Sequence, residues 1–139
     1  MDGYAFEDLQ VGQTASVGKT ITDADILMFA AVSTDTNPVH LDAEAAAQSP
    51  FKERVAHGML SAGLISAVLG TRLPGAGTIY MGQTLRFRAP VKIGDTVTAT
   101  VEVTGLDAEK KRATLKTTCT VKGKVVIEGE ATVLPRSRA

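Results

Sequence analysis

Hydrophobic and polar positions change rhythm near residue 78, and the change divides the chain into two kinds of element. Beyond that point, four stretches mix Thr, Val and Ile in partial alternation: 78–88 (TIYMGQTLRFR), 96–104 (TVTATVEVT), 112–121 (RATLKTTCTV) and 124–134 (KVVIEGEATVL). A period of two in β-branched residues predicts half-buried strands. The connections Ile93-Gly94-Asp95, Asp107-Ala108-Glu109-Lys110 and Lys122-Gly123-Lys124 suit the hairpins of an antiparallel meander.

The first half reads differently. Residues 12–21 (GQTASVGKTI) predict one short strand, and Thr22 with Asp25 predicts a capped helix start. Ile26, Leu27, Phe29, Ala30 and Val32 then supply helical apolar positions to about Ser33. Pro38 disfavours helix at Asn37 and breaks the pattern over 34–38. Asp42 caps a short second helix through Glu44-Ala45-Ala46-Ala47, which ends at Ser49-Pro50. His57 to Leu73 predicts a helix of about 25 Å. Apolar residues occupy more than one of its stripes, so it is expected to be buried. Pro74-Gly75-Ala76-Gly77 stops it. Helices followed by a run of strands predict an α+β domain covering 1–139, with 135–139 as a flexible tail.

Composition narrows the chemistry. The 139 residues carry 15 Lys plus Arg against 15 Asp plus Glu, so net charge gives no bulk case for nucleic acid or an anionic membrane. One cysteine, Cys119, excludes an intrachain disulfide and a multi-cysteine zinc site. It falls mid-strand with no adjacent His and reads as a core thiol. The acidic start (MDGYAFEDLQVG) lacks a long apolar core, so no signal peptide is expected, and the longest apolar stretch is too short to span a membrane comfortably. A cytoplasmic protein is the expectation. Neither HExxH, GxSxG, a Walker lysine nor GxGxxG is present.

Two stretches remain. Asp35-Thr36-Asn37-Pro38-Val39-His40 puts an acid, an amide and an imidazole within six residues of a loop that Pro38 restricts. Asp and His so placed can hold a water between them and relay its protons, although turn residues beside a local network would look the same. His57-Gly58-Met59 opens the long helix, where backbone N–H groups lack helical partners at the positive end of the dipole. Gly58 has no Cβ, so a ligand carbonyl can approach its N–H as in an oxyanion hole. A glycine needed for packing and a structural His57 are the plainer readings. Arg86, Phe87, Arg88 and Lys92 form a basic strand face that could meet a phosphorylated ligand.

These residues resemble a known family. Phe29-Ala30-Ala31-Val32-Ser33-Thr34-Asp35-Thr36-Asn37-Pro38-Val39-His40-Leu41-Asp42 is similar to the hydratase-2 motif of MaoC-like (R)-specific enoyl-CoA hydratases. Val55-Ala56-His57-Gly58-Met59-Leu60, Leu73-Pro74-Gly75, Tyr80-Met81-Gly82-Gln83 and Phe87-Arg88-Ala89-Pro90-Val91 match as well. The resemblance runs over about residues 6–134 and is strongest to short, single-domain bacterial hydratases linked to polyhydroxyalkanoate synthesis. Thr34 departs from it, because members often carry Gly before the aspartate.

The resemblance implies a hot-dog fold, an antiparallel sheet wrapped around the long central helix, in a homodimer without metal or redox cofactor. It implies an acyl-CoA substrate, Asp35 and His40 as the catalytic pair, Gly58 as thioester-carbonyl donor, and Asn37 and Ser66 as supporting residues. Leu64, Ile65 and Leu69, with Met28 and Val68, are candidates for an acyl tunnel, and Arg86 and Arg88 for contact with the CoA portion. The implied reaction is reversible syn hydration of trans-2-enoyl-CoA. Thioester hydrolysis on the same scaffold, and a non-catalytic acyl-thioester-binding subunit, are the alternatives.

Overall fold

A computed structural model describes residues 3–138 of the chain. The helices are α1 (Asp23–Ser33), α2 (Pro38–Leu41), α3 (Ala43–Ala47) and α4 (Gly58–Thr71). The strands are β1 (Thr14–Thr20), β2 (Ile79–Gln83), β3 (Arg86–Phe87), β4 (Thr96–Asp107), β5 (Arg112–Val121) and β6 (Lys124–Leu134).

The sheet is antiparallel, in the order β1-β4-β5-β6-β2, with β3 also paired to β6. β4, β5 and β6 form the meander that the alternation predicts. Val97, Ala99, Val101 and Val103 of β4 and Ala113, Leu115, Thr117 and Cys119 of β5 are the buried, inward set. Alternation fixes this face because successive side chains of a strand point to opposite sides. Lys122 and Gly123 both have positive φ (51° and 79°), as a two-residue hairpin turn of the primed type requires. Residues 78–88 form two strands instead of one. Thr84 turns in against β6, where its carbonyl oxygen would lie 1.8 Å from a Cβ at Gly129, so only glycine fits there.

α4 lies along the concave face, with Ile65, Val68 and Leu69 closed into the core. This is the sheet wrapped on one helix that the family resemblance implies. Burial is one-sided, however: Met59, Gly63, Ser66 and Gly70 are not enclosed and share one stripe of α4. α1 starts as predicted, with the Thr22 hydroxyl accepting from the Asp25 N–H and the Asp25 carboxylate accepting from the Thr22 N–H. That backbone donor, ahead of Lys19, holds the Asp25 carboxyl below the usual range. Only Ile26 and Ala30 of α1 are buried, while Leu27, Met28 and Val32 face outward.

The C-terminal segment corrects the expectation of a flexible tail. Pro135 is buried, the Phe6 N–H donates to the Arg136 carbonyl, and Arg136 Nε donates to the Gly3 carbonyl. Glu7 accepts from the Arg138 N–H and the Ser137 hydroxyl, which hold its carboxyl down at about 2. These bonds tie 135–138 to the N-terminal turn. Ala139 lies outside the described residues.

Candidate active site

The loop between α1 and α3 is fixed by local bonds. Ser33 Oγ donates to the Phe29 carbonyl and accepts from the Asp35 N–H. Asp35 Oδ1 accepts from the Asn37 N–H at 3.3 Å, and Asn37 Oδ1 accepts from the Val39 N–H, capping a single helical turn, α2. Sequence reading treats 34–40 as loop throughout; with Asn37 as cap and Pro38 at the first helical position, the turn satisfies the usual rule for helix starts. Asn37 thus organises the loop through its own side chain.

Thr34 stands at φ 65°, ψ 10°, in the left-handed region. A residue with a Cβ costs about 1–2 kcal/mol there. Thr34→Gly is expected to raise stability by about 1 kcal/mol, or roughly 3 °C in melting temperature for a chain of this length. A lower melting temperature in calorimetry would show that the threonine side chain holds the loop.

Two imidazoles meet at the site. His40 Nδ1 lies 2.7 Å from the Val55 carbonyl and His57 Nε2 lies 2.8 Å from the Asp35 carbonyl. A carbonyl only accepts, so each of these nitrogens carries a proton. Neutral His40 therefore keeps Nε2 as an acceptor, and neutral His57 keeps Nδ1. The rings stack with centroids 3.8 Å apart and planes at 27°, and Phe29 packs on His57 at 4.8 Å. One donor atom each of Asp35, His40 and His57 lies within 4.8 Å of the others. Two hydrogen bonds from one water span about 4.6 Å, so a single water fits between two such acceptors. The three do not make a good metal cage. Lone pairs lie in the ring planes, and two nearly parallel stacked rings do not converge on one ion at ligating distance.

Arg54 joins this loop to α1: its Nε donates to the His40 carbonyl at 2.7 Å, and its other end pairs with Asp23 at 2.5 Å. The Ala56 N–H donates to the Val91 carbonyl, fastening the segment before α4 to the sheet side. Sequence reading does not name Arg54, and it takes His57 as structural; His57 is only 2 % exposed. The sole signal was His57 beside Gly58; nothing local pointed to Arg54.

A cavity of about 420 Å³ opens against this corner, lined by Asn37, His40, Gly58, Ser61 and Arg88 on its polar side. Phe51, Val55, Phe87, Val91 and Ile127 line its apolar side. Gly58 begins α4, so its N–H has no acceptor within the helix. Its missing side chain is also needed for packing: a Cβ there would lie 2.4 Å from Phe87 Cε1. The packing reading of Gly58 is thus met by the Phe87 ring.

Other expected residues fall elsewhere. Ser66 does not line this cavity; it shares a separate groove with Met59, Gly63, Tyr80 and Met81. Five residues along a helix rotate the side chain by about 140°, so Ser61 and Ser66 face different sides. Ile65, Val68 and Leu69 are core, Leu64 packs against that core, and Met28 is 70 % exposed. None of the five lines the cavity: the sheet closes over Ile65, Val68 and Leu69 of α4, and Met28 points outward from α1. Arg86 lines an outer groove with Lys116 and Thr117, whereas Arg88 stays at the cavity, paired with Glu128. Cys119 is buried, its thiol pushed up to about 11 by desolvation, as a core thiol should be.

Comparison with known proteins bears on this geometry. A sequence profile of the MaoC like domain matches residues 8–129. The chain is 65% identical over 135 residues to the (R)-specific enoyl-CoA hydratase of Rhodospirillum rubrum, covering 97% of this chain and 94% of that one. Among solved structures, the unliganded R-hydratase PhaJ1 from Pseudomonas aeruginosa superposes with a TM-score of 0.92 at 48% identity, covering 98% of this chain and 88% of that one. The (R)-hydratase from A. caviae involved in PHA biosynthesis gives 0.89 at 48% identity, covering 91% and 97%. The motif loop, the wrapped helix and these likenesses agree, and the chain belongs to the MaoC-like domain family.

Proposed function

We propose that this protein is an (R)-specific enoyl-CoA hydratase, adding water reversibly and syn across trans-2-enoyl-CoA to give an (R)-3-hydroxyacyl-CoA. The observation that carries the reading is the convergence of Asp35 and His40 beside the start of α4, in a chain similar throughout to hydratases of that name. Water held by the Asp35 carboxylate and His40 Nε2 attacks C3. Its proton passes to one of these two acceptors, and the same group returns it to C2. Hydroxyl and proton leave one water on one face of the substrate, which makes the addition syn. Charge that develops on the thioester oxygen is met by the Gly58 N–H at the positive end of α4. Asn37 holds the loop, and Arg88 is the cation at the cavity for the CoA portion. No metal and no cofactor other than the substrate's own coenzyme A takes part.

The test is a hydration assay on crotonyl-, hexenoyl- and decenoyl-CoA, following loss of enoyl absorbance with chiral analysis of the product. Free-thiol release is measured alongside. Thiol release without loss of the double bond would mean a thioesterase, and neither reaction would mean a binding subunit. The A. caviae hydratase is described as involved in PHA biosynthesis, and supply of (R)-3-hydroxyacyl-CoA to polyhydroxyalkanoate synthesis is the role proposed here. No helix among the described residues is long and apolar enough to cross a membrane, and the cytoplasm is the proposed location.

The working unit proposed is a homodimer. β2 ends the sheet, leaving an open edge, and Ile79, Tyr80 and Met81 are 58, 40 and 46 % exposed beside the bare α4 stripe at Met59. An unpaired edge with apolar neighbours invites a second copy. Light scattering is expected to give twice the chain mass, and Met81→Arg to lower it toward the monomer. A fully active wild-type monomer would contradict the proposal, as would activity lost to a chelator and restored by zinc.

A further inference from the structure

We infer that Arg54 is a positioning residue of the hydration site: its guanidinium, oriented by Asp23, holds the backbone of His40 and so aims the imidazole. The inference rests on the hydratase reading for its catalytic meaning, though not for its geometry. α2 is a single turn, Pro38–Leu41, and a helix this short leaves its last carbonyls without helical partners. The Pro38 carbonyl accepts from the Asp42 N–H, and the His40 carbonyl accepts from Arg54 Nε at 2.7 Å. Arg54 thus completes a turn that cannot complete itself.

Residues 54 and 55 grip the loop at three points. The Val55 N–H donates to the Val39 carbonyl at 3.3 Å, Arg54 Nε donates to the His40 carbonyl, and His40 Nδ1 donates to the Val55 carbonyl at 2.7 Å. The gripping segment is itself fastened to the sheet side, by a bridge between Val55 and Lys92 and by the Ala56 N–H on the Val91 carbonyl. Two of the three bonds use the Val55 backbone; the third depends on the Arg54 side chain alone. That side chain is 19 % exposed, and its Nη2 pairs at 2.5 Å with Asp23, the first residue of α1. A planar guanidinium held at two nitrogens keeps Nε on the carbonyl, where a single swivelling amine would not. The grip matters because the geometry is tight. Side-chain atoms of Asp35 and His40 come within 4.8 Å of each other, so a displacement of about 1 Å takes one of them out of reach of a shared water. Arg54 is not among the residues that line the cavity, where Arg88 is the cation, so it acts on turnover through His40.

The test removes the donor and keeps the stem. Arg54→Met is expected to lower kcat on crotonyl-CoA about tenfold with KM within about twofold, less than the loss at His40 itself because Arg54 touches no reacting atom. Arg54→Gln sets an amide nitrogen where Arg54 Nε stands, keeping a donor for the His40 carbonyl without the Asp23 pair. It is expected to recover kcat to about a third of wild type, the same level as Asp23→Ala. Lys19→Ala breaks the other ion pair at the start of α1, Lys19 with Asp25, and should leave kcat unchanged. The chain has two histidines, so 15N-histidine labelling gives two imidazole signals, and His40→Asn identifies the His40 one. In Arg54→Met the His40 Nδ1–H resonance is expected to shift and to exchange faster with solvent. A folded Arg54→Met with wild-type kcat overturns the inference, as does one whose KM alone rises tenfold, which would make Arg54 a cation for the substrate. An unchanged His40 signal overturns it whatever the turnover. If Arg54→Met does not fold, Arg54→Gln and Asp23→Ala decide: a threefold loss with a shifted His40 signal supports the inference, and wild-type values in both overturn it. A wild type inactive on every enoyl-CoA would instead remove the hydratase reading, and the His40 signal would still report whether Arg54 holds the ring.

Discussion

Asp35→Asn and His40→Asn are each expected to lower kcat by about 10²- to 10⁴-fold, the range for loss of a positioned acid–base group, while the chain stays folded. Both substitutions keep the local structure. The amide that replaces the Asp35 carboxylate retains an Oδ1 to accept from the Asn37 N–H. The amide that replaces the His40 ring reaches the Val55 carbonyl, to which the His40 Nδ1–H donates now. Each change removes the acceptor aimed at water, and His40→Asn also removes the ring stacked on His57. Asp35 is exposed and His40 half-buried, so little core packing is lost in either case. Because one water needs both acceptors, the double variant is expected to be little slower than either single one. Circular dichroism and steady-state kinetics check this. Near-normal turnover in either folded variant would remove the mechanism.

The second large effect is at Gly58. Gly58→Val is expected to lower kcat and kcat/KM together by about 10²-fold, because a β-branched side chain beside the first N–H of α4 obstructs an oxygen whose charge grows in the transition state. Sequence reading alone expects only a modest loss of stability, since a helix start tolerates valine. The structure corrects that expectation: the valine Cβ would occupy the space of the Phe87 ring, so the melting temperature should fall more than the helix start alone predicts. Phe87 is 53 % exposed and its ring can swing outward, which makes unfolding an unnecessary outcome. The pair Gly58→Ala with Phe87→Ala separates the two effects. If removal of the ring restores both stability and turnover, the glycine serves the ring alone. If stability returns while turnover does not, the N–H is the donor for the carbonyl.

What the residues fixed without help was local. Alternation over 96–134 set the strands and their inner faces, because strand side chains alternate whatever the sheet packs against. Thr22 with Asp25, Asp42 before Glu44, and Lys122-Gly123 set helix starts and a turn, since each bond spans two or three residues. The Asp35–His40 spacing, with His57-Gly58, was enough to name the family. Everything that depended on a distant neighbour had to wait for the fold. Nothing in the spacing says that His57 reaches back 22 residues to the Asp35 carbonyl, or that Arg54 holds the His40 backbone. The choice of Ser61 over Ser66 needed the angular position of α4 against the sheet. The same packing turned Ile65 and Leu69 from tunnel candidates into core. β1 beside β4 and β2 beside β6 are likewise pairings across long stretches of chain. So is the docking of 135–138 on the N-terminal turn. A hydrophobic pattern specifies which side of an element faces inward; which residues it meets there depends on how the elements close on one another, and in this protein that closure brings the Asp35–His40 loop, His57 and the start of α4 to one corner.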